Sequence, residues 1–259
     1  MRKSLLSLAV LSVLSIPAVS FAEDAAPAVA APASPHTITY NAGLYSQYIF
    51  RGLTQTGEEM SLQGGVDYAH ASGFYAGAWA SNISWLEDAR AYSNSSLELD
   101  VYGGYANTIG ETGIGYNVGL LQYIYPGDKG PGVKAAETTE VYGALSYKWL
   151  QGKVSYVISD GAWGFDNADG TWYAEANANV PIGDTGLTAN LHIGRQDFDG
   201  KGNSTFNYTD YKVGLTKSWS NGVNVGAYYT DTNGKKAAWT IAGDDISQDQ
   251  FTVFVQKTF

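Results

Sequence analysis

The feature that most constrains the fold of this sequence is alternation at two scales. Apolar and polar residues alternate within short segments, and the connections between the segments alternate between long and short. In LELDVYGGY (97–105), Leu99 and Val101 share one parity, whereas Glu98 and Asp100 share the other. Successive side chains of a β-strand point to opposite faces, so this pattern predicts a strand with one apolar and one polar side.

The same pattern repeats along the chain and predicts the fold class. The predicted strands cover residues 37–51, 60–70, 73–83, 96–106, 114–125, 138–149, 153–159, 171–181, 187–196, 207–218, 223–231 and 248–259. Long polar connections alternate with tight turns, as in outer-membrane barrels with short periplasmic turns and long external loops. A closed barrel also leaves no strand edge unpaired in lipid. We therefore predict an all-β transmembrane antiparallel up-and-down β-barrel of about 12 strands, over residues 37–259.

The N-terminus has the features of a secretory signal peptide. Arg2 and Lys3 precede a mostly apolar stretch at 5–19, and small residues precede a cleavage site after Ala22. The alternative, a membrane anchor, is disfavoured because a spanning helix needs about 20 apolar residues. Residues 23–36 are rich in Ala and Pro without a period, which predicts a linker. We therefore expect export to the outer membrane of a Gram-negative cell.

Charge and cysteine content narrow the partners. Removal of residues 1–22 changes the formal net charge from −10 to −12, because it removes two basic residues and no acidic one. So acidic a chain is not expected to bind nucleic acid. The sequence contains no cysteine, so backbone hydrogen bonds and packing must hold the exported chain together without disulfides.

Aromatic residues near the predicted strand ends indicate the two membrane interfaces. They are Tyr40, Tyr123, Tyr125, Tyr147, Trp149, Trp172, Trp219, Tyr228 and Tyr229. The last strand alternates up to Phe259, which resembles the C-terminal signal that the barrel-assembly machinery reads. The expected partners are therefore outer-membrane lipid and lipopolysaccharide, the assembly machinery through Phe259, and small polar solutes.

Arg51 raises a question because it follows the apolar run of Tyr48, Ile49 and Phe50. In a strand over 37–51, Tyr48 and Phe50 would face lipid and Arg51 would face the lumen near the outer rim. An Arg on the lipid face costs several kcal/mol at the bilayer midplane. We therefore predict that Arg51 points into the barrel and that the first external loop begins just after it.

Further charged residues have lumen parity on their predicted strands. The pore-lining candidates are Arg51, Asp67, Glu98, Asp100, Glu140, Lys148, Glu175, Asp210 and Lys212. They form either a structural network of ion pairs or a filter that sorts solutes by charge. Acidic positions outnumber basic ones, which favours cations or neutral solutes.

The sequence carries no recognisable catalytic or metal-binding motif. The histidines are His36, His70 and His192, and no nucleophile elbow, HExxH or P-loop is present. DFDGKGN (197–203) lacks the downstream Glu of a calcium loop and is typical of a turn-rich surface loop. We expect no enzyme activity, no cofactor and no metal. A cluster of His192 with Ser and Asp would revive an enzymatic interpretation.

Several segments also resemble one bacterial family. They are SQYIFRGLTQT (46–56), QGGVDYAHASGFYAGAWASNI (63–83), LELDVYGGY (97–105), YNVGLLQYIYPG (116–127), EVYGALSY (140–147), DYKVGLTK (210–217) and YTDTN (229–233). The sequence resembles the TorF-type porins, the Gcw_chp family of bacterial outer-membrane proteins. The resemblance implies a porin and leaves the solute undefined.

Three functional hypotheses remain open, together with one alternative fold. A soluble lipocalin-like barrel or a β-sandwich is disfavoured, because its polar face should be rich in Lys and Glu. Here that face is mostly Asn, Thr, Ser, Gln, Gly and Tyr. The first hypothesis is a channel for passive diffusion of small polar solutes. The second is a non-conducting structural or adhesive barrel that acts through its external loops. The third is an outer-membrane enzyme.

Overall fold

The structure, a computed structural model, describes residues 34–259; the predicted signal peptide and most of the predicted linker lie outside the described residues. Within this range the chain forms a closed antiparallel barrel of twelve strands, together with short elements in its loops. The all-β barrel predicted from the alternation is therefore confirmed. No helix within residues 34–259 is both long and apolar enough to cross a membrane.

The strands are numbered in chain order. The first eight are β1 (His36–Tyr45), β2 (Ile49–Phe50), β3 (Leu53–Thr54), β4 (Ser61–His70), β5 (Phe74–Asn82), β6 (Leu97–Thr108), β7 (Ile114–Ile124) and β8 (Thr138–Tyr147). The others are β9 (Leu150–Val157), β10 (Trp172–Ile182), β11 (Leu187–Asp197), β12 (Tyr208–Ser218), β13 (Val223–Thr232), β14 (Thr240–Ile241), β15 (Asp244–Asp245) and β16 (Gln250–Thr258). The barrel consists of β1, β4 to β13, and β16, and β1 closes it by pairing with both β4 and β16.

The connections alternate in length, as the sequence predicts. Loops 1 to 6 span residues 46–60, 83–96, 125–137, 158–171, 198–207 and 233–249, all at one end of the barrel. We name this the loop end. Tight turns at 71–73, 109–113, 148–149, 183–186 and 219–222 define the opposite, turn end. Loop 1 contains the β2–β3 hairpin, loop 2 contains α1 (Trp85–Asp88), loop 5 a short 3-10 helix (Asn203–Phe206), and loop 6 the β14–β15 hairpin.

The two faces of the barrel wall differ in polarity. Large apolar side chains are exposed on the outside at alternate positions, for example Val118 and Leu120 on β7, and Val253 and Val255 on β16. The opposite parity points inward and is mostly polar or aromatic. A soluble barrel would place its apolar side chains inside, so this arrangement is the one suited to lipid.

Strand stagger sets the width of the interior. A path that starts at Asn41 and passes from register partner to register partner around the barrel comes back to β1. It arrives about 16 residues further along the chain than it began, and this offset is the stagger of the strands. Twelve strands with this stagger tilt by about 45° and give a backbone radius of roughly 12 Å. Side chains just fill an eight-stranded barrel, so this wider lumen has room for one additional chain segment.

Aromatic side chains lie flat against glycines of the neighbouring strand inside the lumen. A Cβ atom at Gly77 would lie 2.5 Å from the ring of Tyr102, and one at Gly119 would lie 2.5 Å from the hydroxyl of Tyr142. Each pair joins register partners of adjacent strands. Glycine at these positions lets a tyrosine cover the wall instead of projecting toward the lumen axis.

The first strand ends earlier than predicted, and this changes the side-chain assignments. The predicted strand covers 37–51, but β1 ends at Tyr45 and the chain then bends into the lumen. Tyr48 is buried, and Phe50 packs against the rings of Tyr123 and Trp163. The prediction that Tyr48 and Phe50 face lipid is therefore wrong, because the apolar run enters an internal cluster.

The aromatic residues expected at the membrane interfaces divide into two groups. Exposed aromatic side chains near strand ends include Tyr40, Tyr147, Trp149, Trp219 and Tyr229, and Trp172 is half-buried at the start of β10. Tyr123 and Tyr125 are instead buried inside, and Tyr228 lines an internal cavity. The assignment of these three to the girdle is wrong because their parity points inward.

The loops fold over the loop end and pack against one another. One cluster joins Tyr48 of loop 1 to Ile83, Leu86 and Tyr92 of loop 2 and to Ala136 of loop 3. A second joins Leu53 of loop 1 to Phe198 of loop 5 and to Trp239 and Ile246 of loop 6. These two clusters cap the loop end of the barrel and hold loop 1 in the lumen.

Candidate functional site

The β2–β3 hairpin (49–54) crosses the lumen with Arg51 and Gly52 at its tip. Both residues have positive φ angles, 48° and 81°, as the primed turns of two-residue hairpins require. Glycine adopts such angles freely, but an arginine there is uncommon. A Cβ atom on Gly52 would lie 2.6 Å from the Cβ of Asp210, so the tip presses directly against β12.

The Arg51 side chain is held by groups from three barrel strands and one loop. Its Nη2 donates to both carboxylate oxygens of Glu140 on β8, at 2.9 and 2.8 Å, and Nη1 donates to Gln196 Oε1 on β11 at 2.8 Å. The guanidinium carbon lies 4.3 Å from the ring centre of Tyr173 on β10 and 5.1 Å from that of Trp163 in loop 4. We name Glu140, Gln196, Tyr173 and Trp163 the guanidinium cage.

Two more buried carboxylates lie on β6 next to the cage. Glu98 accepts a hydrogen bond from the Tyr48 hydroxyl at 2.7 Å, and Tyr125 also donates to it. Asp100 has 0% exposure, and within the described residues neither of its carboxylate oxygens has a hydrogen-bond partner. Tyr123, the register partner of Asp100, donates to Glu140 at 3.1 Å. Asp100 is thus a buried acidic group without a bonded partner beside the cage.

A second polar network occupies the wall formed by β10, β11 and β12. His192 Nε2 lies 2.7 Å from Asp210 Oδ2, and His192 Nδ1 lies 2.8 Å from Asn177 Oδ1. The Tyr173 hydroxyl donates to Asp210 Oδ1 at 2.9 Å. Within residues 34–259, no serine hydroxyl hydrogen bonds to His192. Among the described residues, His192 therefore bonds to Asp210 but to no serine. The cluster of His192 with Ser and Asp that would revive an enzymatic interpretation is incomplete.

Basic groups in this half of the lumen are less tightly paired than Arg51. Lys153 Nζ on β9 lies 3.8 Å from Glu175 Oε1 and 4.9 Å from the ring centre of Tyr142. Lys212 Nζ on β12 lies 5.6 Å from the ring centre of Tyr228. In the part of the chain that the structure describes, no carboxylate oxygen lies within ion-pair distance of Lys212.

Tyrosines dominate the β4–β8 part of the lumen. The Tyr102 hydroxyl donates to Asp67 Oδ1 at 2.5 Å. Tyr75 shares a 2.5 Å hydrogen bond with the hydroxyl of Tyr142 and donates to Asn117 Oδ1 at 2.6 Å. These hydroxyl groups present a polar surface to any solute in the lumen, so the wall is suited to polar molecules.

The structure brings most of the predicted pore-lining residues inside the barrel. Those inside are Arg51, Asp67, Glu98, Asp100, Glu140, Glu175, Asp210 and Lys212. Arg51 arrives there on a loop hairpin instead of a wall strand. That these residues line a conducting path stays a prediction.

Lys148 is the exception among the predicted residues. It lies exposed in the tight turn 148–149 with a φ of 54°, and its Nζ lies over the ring of Tyr147. The strand ends one residue before it, so the alternation no longer governs its direction. Lys153, which is buried, points inward nearby. It is the first residue of the strand predicted at 153–159 and is not among the predicted pore-lining residues. The alternation of Gln151, Lys153 and Ser155 could have identified it.

The hairpin leaves only a small internal space beneath it. A cavity of about 70 Å³ is lined by residues that include Arg51, Trp79, His192, Lys212 and Thr230. A water needs roughly 10–15 Å³ of such space, so the cavity can hold several waters and no large solute. The hairpin and the side chains bonded to Arg51 occupy part of the lumen at this level.

The described chain offers no obvious metal site. No group of three or more His, Cys, Asp or Glu within residues 34–259 is arranged to hold a metal ion. Arg51, Glu140, Glu98, Asp67 and Asp210 instead bond to other lumen side chains, including tyrosine hydroxyls. What they form is a polar, hydrogen-bonded interior inside a barrel with an apolar outer belt.

An apolar belt, a charged lumen and alternating loops and turns together define a porin-like barrel. Solved structures agree on the fold. A structure described as "KdgM porin" has a TM-score of 0.52 at 10% identity and covers 86% of this chain and 98% of its own. "KdgM porin in complex with disordered oligogalacturonate" has a TM-score of 0.51 at 12% identity, covering 86% and 98%. A NanC porin structure has a TM-score of 0.52 at 12% identity, covering 86% and 99%.

Sequence comparison places the chain in a family. The family model described as "Bacterial protein of unknown function (Gcw_chp)" matches residues 29–259. The chain therefore belongs to the Gcw_chp family, as the resemblance noted from its sequence indicates. No curated protein matches the sequence.

Proposed function

We propose that this protein is an outer-membrane porin-like channel of the TorF type, through which small polar solutes diffuse passively. The observation that carries the proposal is a twelve-stranded barrel with an apolar exterior and a charged, hydroxyl-rich interior. An interior meant only to fill space would not need so many ionisable groups. The proposal includes export by cleavage after Ala22 and insertion into a membrane containing lipopolysaccharide.

The charges of the lumen support a mild preference for cations. Among the described residues, the inward carboxylates are Asp67, Glu98, Asp100, Glu140, Glu175 and Asp210, and the inward basic groups other than histidine are Arg51, Lys153 and Lys212. Acidic groups near the path of a solute attract cations and repel anions. The oligogalacturonate bound by a KdgM porin is a polyanion. The acidic lumen of this chain is suited to a different class of solute.

The outer surface supports the proposed partners. Phe259 is exposed and follows Phe251, Val253 and Val255, which are exposed with the same parity. Such a strand offers an apolar outer face to lipid, and its C-terminal Phe259 is available to the barrel-assembly machinery. We make no proposal of a cofactor or of an enzyme activity, and the expectation that the protein is not an enzyme stays a prediction.

A second candidate function rests on the closure of the lumen. The β2–β3 hairpin and the loop clusters block the loop end, which favours a non-conducting structural or adhesive barrel that acts through its loops. This alternative and the channel predict opposite results in one experiment. A channel must open at least transiently, whereas a structural barrel has no need to open.

The experiment is a planar-bilayer recording of the refolded chain without residues 1–22, with reversal potentials under a potassium chloride gradient. We expect discrete conductance steps and a reversal potential of the sign given by cation preference. Asp100→Asn should reduce that preference, because it removes an unpaired carboxylate, whereas Lys148→Gln at the exposed turn should leave it unchanged. A folded barrel that inserts without conducting would support the structural alternative.

A further inference from the structure

The guanidinium cage has the chemistry of a ligand site that is already occupied. Both Glu140 oxygens accept from Arg51 Nη2, Gln196 accepts from Nη1, and two aromatic rings flank the guanidinium plane. Charge-assisted bonds to a carboxylate combined with aromatic faces form a strong binding arrangement for a planar organic cation. Arg51 is the cation in this site, and it comes from a loop.

The β2–β3 hairpin that carries Arg51 forms no strand ladder with the barrel wall. The β2–β3 hairpin pairs with itself and is held by backbone hydrogen bonds to other loops, from Thr54 to the carbonyl of Ile246 and from Ser84 to the carbonyl of Gln55. No ladder bond of the barrel would break if the hairpin moved out. Arg51 also has a positive φ of 48°, a conformation that is unfavourable for a residue other than glycine.

The wall around the cage carries more carboxyl groups than Arg51 bonds to. Glu140 is paired with Arg51, but neither carboxylate oxygen of Asp100 has a hydrogen-bond partner among the described residues. Trp79, the register partner of Asp100 on β5, packs against Tyr48 in a tilted arrangement with 5.3 Å between ring centres. An unpaired buried carboxylate flanked by aromatic side chains is a second place where a cation would be stabilised.

We propose that the cage is a binding site for solutes that carry a guanidinium group, with Arg51 as a tethered occupant that such a solute displaces. A solute guanidinium takes over the bonds to Glu140 and Gln196, and a second cationic group on the same solute interacts with Asp100. Arg51 then leaves with the hairpin and the lumen opens. This inference rests on the proposed channel function, whose solute class it specifies.

The first test is chemical complementation with agmatine, which carries a guanidinium and an ammonium group. Arg51→Ala vacates the cage, and we expect it to bind agmatine at least 10-fold more tightly than the unmodified protein by calorimetry in micelles. Adding Glu140→Gln to Arg51→Ala should abolish this gain. Arg195→Ala is the matched control, because Arg195 pairs with Asp197 at the surface and has 41% exposure.

Two control ligands distinguish recognition of the guanidinium group from attraction of its charge alone. Methylurea has a similar planar shape but no charge, and potassium has a positive charge but no N–H groups that could donate to Glu140 and Gln196. We expect neither to bind Arg51→Ala with the gain seen for agmatine. Equal affinity of Arg51→Ala and the unmodified protein for agmatine would overturn the proposal, as would an equal gain in Arg195→Ala.

A second measurement uses the unmodified protein, so that the test does not depend on how the variant folds. Millimolar agmatine added to the bilayer should increase the frequency of channel opening, whereas the same concentration of potassium should not. If agmatine leaves the currents unchanged and binds Arg51→Ala no more tightly than the unmodified protein, the proposed guanidinium site is wrong and the proposed channel is retained. If agmatine binds Arg51→Ala more tightly but no current is recorded, the proposed guanidinium site is retained and the proposed channel is wrong.

Discussion

The ion pair between Arg51 and Glu140 should be a major determinant of the stability of the closed state. Arg51→Met keeps an apolar chain of similar length, and among residues 34–259 it leaves Glu140, which has 0% exposure, with only the Tyr123 hydroxyl as a bonded partner. An uncompensated buried charge costs about 3–5 kcal/mol. Glu140→Gln should cost less, about 1.5–3 kcal/mol, because a neutral amide oxygen still accepts from Arg51.

The double variant distinguishes a buried pair from two independent side chains. Arg51→Met with Glu140→Gln should be no less stable than Arg51→Met alone, since the neutral amide introduced by Glu140→Gln needs no counter-ion. The coupling free energy from the double-mutant cycle should then be at least the cost of Glu140→Gln alone, about 1.5 kcal/mol or more. The exposed pair of Arg195 and Asp197 provides the comparison cycle, with an expected coupling of about 0–1 kcal/mol.

Urea-induced unfolding in lipid vesicles measures these free energies, provided that unfolding is reversible. Urea is preferable to guanidinium chloride because guanidinium is the proposed ligand of the cage. A cost below about 1 kcal/mol for Arg51→Met would refute the reasoning, since that is the value of a solvated surface pair. It would mean that water reaches Glu140 and that the hairpin does not seal the lumen.

Two further predictions concern the barrel wall. Gly77→Ala should destabilise the barrel by about 1–3 kcal/mol, because the new methyl would meet the Tyr102 ring, whereas Gly143→Ala, with no atom within 4 Å, should have little effect on urea unfolding. Val118→Arg on the outer face of β7 should cost about 2–4 kcal/mol, whereas Leu150→Arg beside a turn should cost about 0–1 kcal/mol, measured in the same assay. Equal costs at Val118 and Leu150 would contradict the assignment of the outer face to lipid.

Alternation was sufficient to predict the barrel because lipid outside and polar groups inside impose it on every strand. The side-chain directions of Glu98, Asp100, Glu140 and Asp210 follow from their parity alone. Parity ceases to hold where a strand ends. The prediction for Lys148 was wrong for this reason, since one residue beyond β8 the backbone already turns.

The cage itself could not be predicted from the sequence. Arg51, Glu140 and Gln196 are far apart in the chain, and only barrel closure and loop folding bring them together. The apolar run before Arg51 also fits two environments, because lipid and an internal aromatic cluster select the same residues. The pair Arg51-Gly52 contains a glycine and is typical of the two-residue turn of a tight hairpin, so it could have indicated β2–β3. The same pair also fits a strand that ends at an arginine, so it does not distinguish the two structures.

The way in which this lumen is closed bears on what the barrel is for. A barrel that only had to be sealed could be filled with apolar side chains, which avoid the desolvation of buried charges. Here the closing element is a loop hairpin, held through Arg51 by a carboxylate on β8, while Asp100 on β6 lacks a bonded partner among the described residues. The closed state therefore depends on Arg51 as well as on the two loop clusters, and in our proposal another cation replaces Arg51. Such dependence is an expected property of a regulated channel and has no evident use in a permanently sealed barrel.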